Sequence, residues 1–177
     1  DGVEQRGGRR RRLTLSRAAG TFLGLARAPL IGRWFGEMNR NREPMPEGPL
    51  AMEAVSGALI YLSRHGFRQL AGFDEGYFLH VEDLDICRRA EMEGGSVMYA
   101  PGAGAYHYGA TSDVAGIVVE RHKAAGLKRY FAKFARSPVE RLVGEMLAPV
   151  MTLALVARAK WRARAREEVD GPGGKVS

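Results

Sequence analysis

The chain has 177 residues, 45% of them apolar, which excludes a wholly disordered protein and allows one domain with a hydrophobic core. Its single cysteine, Cys87, excludes an internal disulfide and a cysteine zinc cluster, and it favours a reducing compartment. The net charge of +7 indicates an anionic partner such as nucleic acid, anionic lipid or a phosphorylated ligand. Because the chain opens on Asp1, we expect further residues upstream.

The first fifty residues are predicted to be loops and short helices. Residues 1–12 are polar and glycine-rich and end in four arginines, which predicts a solvated basic arm. Residues 13–38 predict one or two short helices broken at Pro29. Residues 39–50 contain three prolines and predict a loop.

Strand and helix patterns alternate in the middle of the chain. A continuous apolar run over residues 54–62 predicts a buried strand of an α/β sheet. The further elements predicted here are helices over 64–70, 83–93 and 112–135, and short strands over 96–100 and 105–108.

The C-terminal part is predicted to be one long helix that starts at Ser137-Pro138 and ends near residue 168. Its middle is apolar, and the end that follows is basic and carries Trp161. No apolar run reaches the roughly 18–20 residues of a membrane-spanning helix. Two interpretations stay open: a helix lying in the membrane interface, or a packing helix with a solvated cationic end. Residues 169–177 are predicted to be a disordered tail.

An acidic stretch over residues 73–89 is the main candidate for a functional site. Glu82, Asp83 and Asp85 follow a run at 77–79 that is predicted to be buried. Buried carboxylates need a metal, a base or helix N–H groups as partners. Because these acids also open a predicted helix, composition alone favours capping of that helix, with acid–base or metal chemistry as the alternative.

One histidine has an argument for joining these acids. His107 follows the strand that returns after the acidic helix, so it is expected near the start of that helix, beside Asp83. A carboxylate and an imidazole there would suit an oxygen-preferring divalent cation or an acid–base pair. A lone histidine is more often a structural residue, and that alternative stays open.

Several motifs, taken together in their order along the chain, resemble the family 2 glycosyltransferases. Within that family they resemble the rhamnosyltransferase and galactofuranosyltransferase-like group. The resemblance covers about residues 1–135. It implies a partial GT-A fold of the α/β class, and sugar transfer from a nucleotide diphosphate with inversion. The segments that carry it are Asp1-Gly2, Gln5, Arg9-Arg10, and residues 55–58, 72–75, 78–89, 99–101 and 106–112.

By matching position, the resemblance also implies roles for individual residues. Asp83 would be the general base that takes the acceptor hydroxyl proton, and Glu82 its neighbour in acceptor binding. His107 would help bind a divalent metal, Mg²⁺ or Mn²⁺, that neutralises the leaving diphosphate. Further positions on the donor and acceptor side, the last two with more structural roles, are Ser56, Gly57, Ala58, Asp85 and Arg88.

Two features of that family are missing from the sequence: the N-terminal nucleotide-binding half and its Asp-x-Asp metal motif. The Asp-x-Asp at residues 83–85 lies in the acceptor helix instead. The resemblance therefore implies an acceptor-side half, which makes the missing N-terminal half a partner. The expected parts are a basic loop with short helices at 1–50, the acceptor-side part of the catalytic domain at 51–112, and C-terminal helices at 113–168.

The remaining partners follow from the same resemblance. They are a nucleotide-sugar donor, a glycan or lipid-linked acceptor, and the cytoplasmic membrane surface. The expected location is cytoplasmic, peripheral at the inner face of the cell membrane, and the expected process is cell-envelope polysaccharide synthesis.

A non-catalytic basic module that binds membrane or nucleic acid is the alternative function. The arginines near the N-terminus and the basic segment at 158–166 motivate it. Nucleic acid is not expected as a partner, because the sequence has no helix-turn-helix, zinc or aromatic-platform pattern. A truncated remnant without activity would share the features of the enzyme.

Overall fold

Helices dominate the fold, and the strands are short. The structure, a computed structural model, describes residues 3–5, 7–107 and 116–170. Over these residues the helices are α1 (Leu15–Phe22), α2 (Arg64–Gln69), α3 (Glu82–Met92), α4 (Gly116–Phe134) and α5 (Pro138–Asp170). The strands are β1 (Arg9–Arg10), β2 (Leu50–Met52), β3 (Ala54–Val55) and β4 (Val97–Tyr99), and two 3₁₀ turns lie at Leu25–Arg27 and Gly32–Trp34.

The strands form two separate antiparallel pairs. In one pair Arg10 lies opposite Ala54, which brings β1 to β3. In the other pair β2 and β4 align Leu50 with Tyr99. This mixture of helices and short strands agrees with the α/β prediction at the level of fold class.

Most of the predicted helices are confirmed. The helices predicted over 64–70, 83–93 and the C-terminal segment correspond to α2, α3 and α5. α3 ends at Met92 with Glu93 as its C-cap residue, and Gly94 follows at a φ of 76°, a left-handed conformation that glycine adopts at little cost. α4 starts at Gly116, and residues 112–115 of its predicted span lie outside the described residues.

The strand predicted over 54–62 is wrong beyond residue 55. Residues 56–62 are turn and irregular structure, and Tyr61 is 92% exposed. The physical reason is that β3 has only the two-residue β1 beside it, and the backbone N–H of Gly57 bonds a carboxylate instead of a neighbouring strand. The strand predicted over 105–108 is also absent at 105–107, and residue 108 lies outside the described residues.

The N-terminal arginines do not form the solvated arm that their composition predicts. Arg9 is 1% exposed, and its guanidinium group pairs with Glu4 at 2.8 Å. It also donates to the backbone oxygens of Glu43 and Pro44. Because a buried guanidinium needs acceptors on every side, these bonds fasten the arm to the 39–50 loop.

The hydrophobic core lies where α3, α4 and α5 meet the N-terminal segment. Cys87 is buried there, but Phe78 in the run predicted to be buried is 81% exposed and packs its ring against His122. The buried apolar residues of the core are Leu13, Ala18, Met38, Ala54, Tyr77, Val81, Leu84, Cys87, Ala124, Leu127, Tyr130, Phe131, Met151 and Leu155.

An ion network ties α3 to α4. Asp85 is 0% exposed and accepts hydrogen bonds from Tyr77 Oη at 3.2 Å, Arg89 Nε at 2.6 Å and Lys133 Nζ at 2.6 Å. Lys133 also reaches Asp74, whose pKa is held below its usual range first by the Arg129 guanidinium. These contacts favour a structural role for Asp85.

α5 turns an apolar side to solvent. Val139, Leu142, Met146, Val150 and Leu153 recur every three or four residues and are all exposed, and Trp161 continues this apolar stripe. The stretch Pro138–Trp161 has the length and composition of a membrane-crossing helix, with a mean hydropathy of 1.6 and 17% of the window buried. The expectation that no apolar stretch is long enough to span a membrane is therefore wrong. This helix contains 18 consecutive residues with high mean hydropathy and few charged side chains. α5 also continues to Asp170, into the predicted tail, and residues 171–177 lie outside the described residues.

We expect Asp85→Asn to lower the free energy of unfolding by about 3 kcal/mol, because it leaves the cations around a fully buried site without their counter-charge. Glu93→Gln removes the same charge from the exposed end of α3 and should change stability by less than about 0.5 kcal/mol. Urea denaturation of both variants measures the difference. Equal, small effects would contradict the structural role of Asp85.

Candidate functional site

Asp83 lies in the first turn of α3 and is 8% exposed. Its Oδ2 accepts the Gly57 backbone N–H at 2.9 Å and an Arg10 Nη2 contact, and its Oδ1 accepts the Leu84 N–H at 2.8 Å. A second contact from Arg10, Nη1 to Oδ1, is 3.4 Å. The carboxylate therefore binds three parts of the chain: β1, the turn after β3, and its own helix.

Arg10 is brought to Asp83 by the pairing of β1 with β3. Its Nε donates to Gly7 O at 2.8 Å, and its Nη2 lies 3.4 Å from Val55 O. Sequence reasoning did not place Arg10 in the site, because its composition predicts solvation. The one signal was the place of Arg9-Arg10 in the motif order that carries the family resemblance.

Gly57 approaches Asp83 closely enough to need the absence of a side chain. A Cβ at Gly57 would lie 3.2 Å from Asp83 Cβ. Ser56 donates its N–H to Gly8 O at 3.1 Å, and its Oγ accepts the Ala58 N–H at 3.3 Å. The structure thus brings Gly57 to Asp83, with Ser56 beside it in the chain bonded to Gly8 and Ala58, and Ala58 is exposed.

The backbone just before the acid pair is strained. His80 has a φ of 68° and Val81 a φ of 76°, and a β-branched residue rarely adopts this conformation. Such residues cost about 1–3 kcal/mol each and persist where the surroundings force them. Gly126 of α4 provides that constraint, since a Cβ there would lie 3.0 Å from His80 O. The left-handed turn at His80 and Val81 sets the direction in which α3 starts, and so the positions of Glu82 and Asp83.

Glu82 differs from Asp83 in its partners. Its Oε2 is buried and has no hydrogen-bond partner in the part of the chain that the structure describes. Burial raises the pKa of Glu82, and the neighbouring charge of Asp83 raises it further. Asp83 accepts a backbone N–H in the first turn of α3, that of Leu84, as the capping interpretation predicts, although the N-cap residue Val81 itself contributes no side-chain bond. The site therefore holds one saturated carboxylate beside one whose buried oxygen is unpartnered.

His80 is a residue of this site that sequence reasoning missed. Burial lowers the pKa of His80, the charge of Lys123 lowers it further, and Asp83 and Glu120 act in the opposite direction. The His80 imidazole therefore lies within electrostatic reach of Asp83. No periodicity or spacing singles it out, because its position depends on the left-handed turn at residues 80–81.

His107 is exposed, and its Nδ1 lies 3.1 Å from Gln5 Oε1. Among residues 3–5, 7–107 and 116–170, no group of three or more His, Cys, Asp or Glu side chains could hold a metal ion. These residues by themselves therefore do not fit a complete metal site. Arg88 lies away from Asp83's bonds and pairs with Glu91 at 2.7 Å along α3.

The half-buried carboxyl of Glu82 should make stability fall as pH rises. Its folded-state pKa lies above the ordinary value of 4.5, so between the two values the folded protein binds more protons than the unfolded chain. We expect the difference in unfolding free energy, Glu82→Gln minus wild type, to increase from about pH 4 to about pH 7.5. Denaturation at both pH values measures it. A flat difference for Glu82→Gln would contradict the burial of its charge.

Comparison with known proteins gives partial matches to rhamnosyltransferases. The chain is 31% identical over 72 residues to Rhamnosyltransferase WbbL of Escherichia coli (strain K12), a match that covers 38% of this chain and 27% of that protein. It is 32% identical over 94 residues to N-acetylglucosaminyl-diphospho-decaprenol L-rhamnosyltransferase of Mycobacterium tuberculosis (strain ATCC 25618 / H37Rv), covering 51% of this chain and 30% of that protein.

No protein-family model and no solved structure matches the chain. The matched region spans less than a third of the length of the curated relatives. The chain is thus similar, over about half of its own length, to part of proteins named rhamnosyltransferases.

Proposed function

We propose that this chain is the acceptor-side part of an inverting family 2 glycosyltransferase with a GT-A fold. The complete enzyme would transfer a sugar from a nucleotide-diphospho-sugar to a glycan acceptor in cell-envelope polysaccharide synthesis. The acceptor class that we propose is a lipid-linked glycan. The observation that carries the proposal is the Asp83 carboxylate, held beneath the turn at 56–58 by Gly57 and by the strained loop before α3. The partial similarity to rhamnosyltransferases supports the same function.

The chemistry assigned to Asp83 is general base catalysis. The acceptor oxygen attacks the anomeric carbon as the bond from that carbon to the diphosphate breaks, and the hydroxyl proton passes to Asp83. Glu82 is the neighbour that binds the acceptor, and the small residues Ser56, Gly57 and Ala58 leave room for the sugar. Because Asp83's oxygens are occupied by hydrogen-bond donors in this arrangement, base function requires one of these donors to leave.

The metal and the donor site belong to the proposal as well. His107 would supply one ligand to Mg²⁺ or Mn²⁺, and carboxylates of an N-terminal nucleotide-binding half would supply the others. The metal, when bound, would neutralise charge on the leaving diphosphate. This half, as a further part of the protein, would hold the nucleotide of the donor.

The apolar stripe of α5 supports a place at the cytoplasmic face of the membrane. From Val139 to Trp161 it extends roughly 33 Å along the helix, and Lys160 and Arg164 are exposed at its C-terminal end. An apolar face with Trp and cations at one end suits the interface of an anionic bilayer. The opposite side of α5 buries Met151 and Leu155, so we propose that the helix lies on the membrane.

The same stripe is the observation that favours the second candidate, a non-catalytic basic module that binds membrane. The two candidates differ at Asp83, since a membrane module has no use for a carboxylate held by a strained loop. Neither includes nucleic acid as a partner.

We expect Asp83→Asn in the full-length protein to lower kcat for sugar transfer by about 10²–10⁴-fold with the fold intact, because the acceptor proton loses its base. Radiolabelled donor and circular dichroism measure the two quantities. Glu75→Gln, an exposed acid of the preceding turn, is the matched control and should keep wild-type turnover. Wild-type turnover by a folded Asp83→Asn protein would overturn the base assignment.

We expect wild-type protein to float with anionic liposomes, and Met146→Glu with Leu153→Glu to reduce the floated fraction at least about fivefold, because two charges enter the apolar stripe. The control Tyr61→Glu replaces an exposed ring outside α5 with a charged side chain, and this variant should float like wild type. Equal flotation of all three proteins would contradict the membrane role of the stripe.

A further inference from the structure

The four hydrogen bonds to Asp83 leave its carboxylate without a free lone pair. A carboxylate offers about four acceptor positions. Here Oδ1 takes the Leu84 N–H and Arg10 Nη1, and Oδ2 takes the Gly57 N–H and Arg10 Nη2. The two backbone donors are fixed by α3 and by the turn after β3, so Arg10 is the donor that side-chain rotation alone can remove.

The Arg10 side chain is placed to make that movement. The side-chain atoms of Arg10 are 14% exposed and those of Asp83 are 11% exposed, against 8% for the whole Asp83 residue, so the pair is largely buried but reaches the surface. Beyond Asp83, the partners of its guanidinium among the described residues are two backbone oxygens, Gly7 O at 2.8 Å and Val55 O at 3.4 Å. Arg9 next to it is 1% exposed and is held by Glu4 and two backbone oxygens of the 39–50 loop. Of the two paired arginines in β1, Arg10 is therefore the one that is more exposed and more weakly held.

A diphosphate is the ligand chemistry that competes best with Asp83 for this guanidinium. Arginine binds phosphate oxygens through two parallel N–H bonds, as it binds a carboxylate, and a diphosphate carries more charge than one carboxylate. In the proposed reaction a diphosphate group enters near the base, either on the nucleotide donor or on a diphospholipid acceptor.

We propose that Arg10 is shared between Asp83 and a bound diphosphate group, and that its transfer to the diphosphate frees Asp83 to accept the acceptor proton. The inference rests on the proposed function and extends it. Arg10 is then a diphosphate-binding residue that also controls the base. Its exchange of partners couples occupation of the diphosphate site to the availability of Asp83, so the base becomes active only when the group to be displaced or extended is in place.

The first test is calorimetric titration of the full-length protein with inorganic pyrophosphate. Arg10→Gln should weaken binding at least about tenfold, because the charged, bidentate contact is lost. The matched control Arg11→Gln removes the same charge from the next residue, which pairs with Glu43 and not with Asp83. It should weaken binding less than about threefold, an effect of net charge alone.

The second arm separates competition from simple repulsion. Asp83→Asn should strengthen pyrophosphate binding at least about fivefold, because Arg10 no longer has to leave an ionic partner. Glu82→Gln removes the same charge one residue away without releasing Arg10, and it should strengthen binding by less than half as much on a logarithmic scale. In an Arg10→Gln background the gain from Asp83→Asn should fall to that of Glu82→Gln.

Wild-type protein alone gives an independent measurement if a variant fails to fold. The Arg10 Nε–H signal in a ¹⁵N-edited NMR spectrum should shift on addition of pyrophosphate, while the Arg11 signal stays in place. Equal affinities of Arg10→Gln and wild type, equal gains from Asp83→Asn and Glu82→Gln, or an unmoved Arg10 signal would each overturn the inference.

The source of the diphosphate is assigned by repeating the titrations with UDP and with farnesyl diphosphate. The variant pattern with UDP assigns the nucleotide donor, the pattern with farnesyl diphosphate assigns a diphospholipid acceptor, and its absence with both overturns the inference. If the pattern holds but the full-length protein transfers no sugar, the proposed function fails and the diphosphate site remains. Sugar transfer without the pattern removes the role of Arg10 alone.

Discussion

The ion pair between Arg10 and Asp83 is the interaction on which the site depends. It joins the N-terminal strand to the first turn of α3, two segments far apart in the sequence, and its carboxylate bonds the N–H of Gly57 in the turn after β3. A half-buried ion pair gains little net stability once the desolvation of both groups is counted. Its value here is positional, because it fixes one carboxylate at the point where three segments meet.

Contacts between α3 and α4 hold the first turn of α3, and with it Asp83, in position. Gly126 of α4 packs against the left-handed turn at His80 and Val81, and the buried Asp85 network fastens α3 to α4 one turn further along. Two acids in the first turn of α3, separated by Leu84, thus have separate tasks. Asp83 faces the surface beside Arg10, whereas Asp85 is enclosed by Tyr77, Arg89 and Lys133.

Local patterns allowed part of this structure to be predicted from the sequence. α3 and α5 could be located because their end signals and apolar spacing depend on residues close together in the sequence. The strand expected at 54–62 could not be corrected without knowing that β3 has so short a partner, and the buried Arg9 depends on Glu4 and a distant loop. For the site, motif order indicated Asp83, Gly57 and Ser56, but the contact with Arg10 and the approach of His80 arise from long-range packing that composition does not encode.

The central claim is that one base acts in a direct displacement at a sugar carbon, and the stereochemistry of the product tests it most directly. The full-length protein would be incubated with a nucleotide sugar and a lipid-linked glycan, and the anomeric configuration of the new linkage read by NMR. A linkage inverted relative to the donor is the predicted result, because a single attack aided by Asp83 reverses the configuration. A retained configuration would contradict the account, since it requires a second displacement that a lone base does not provide.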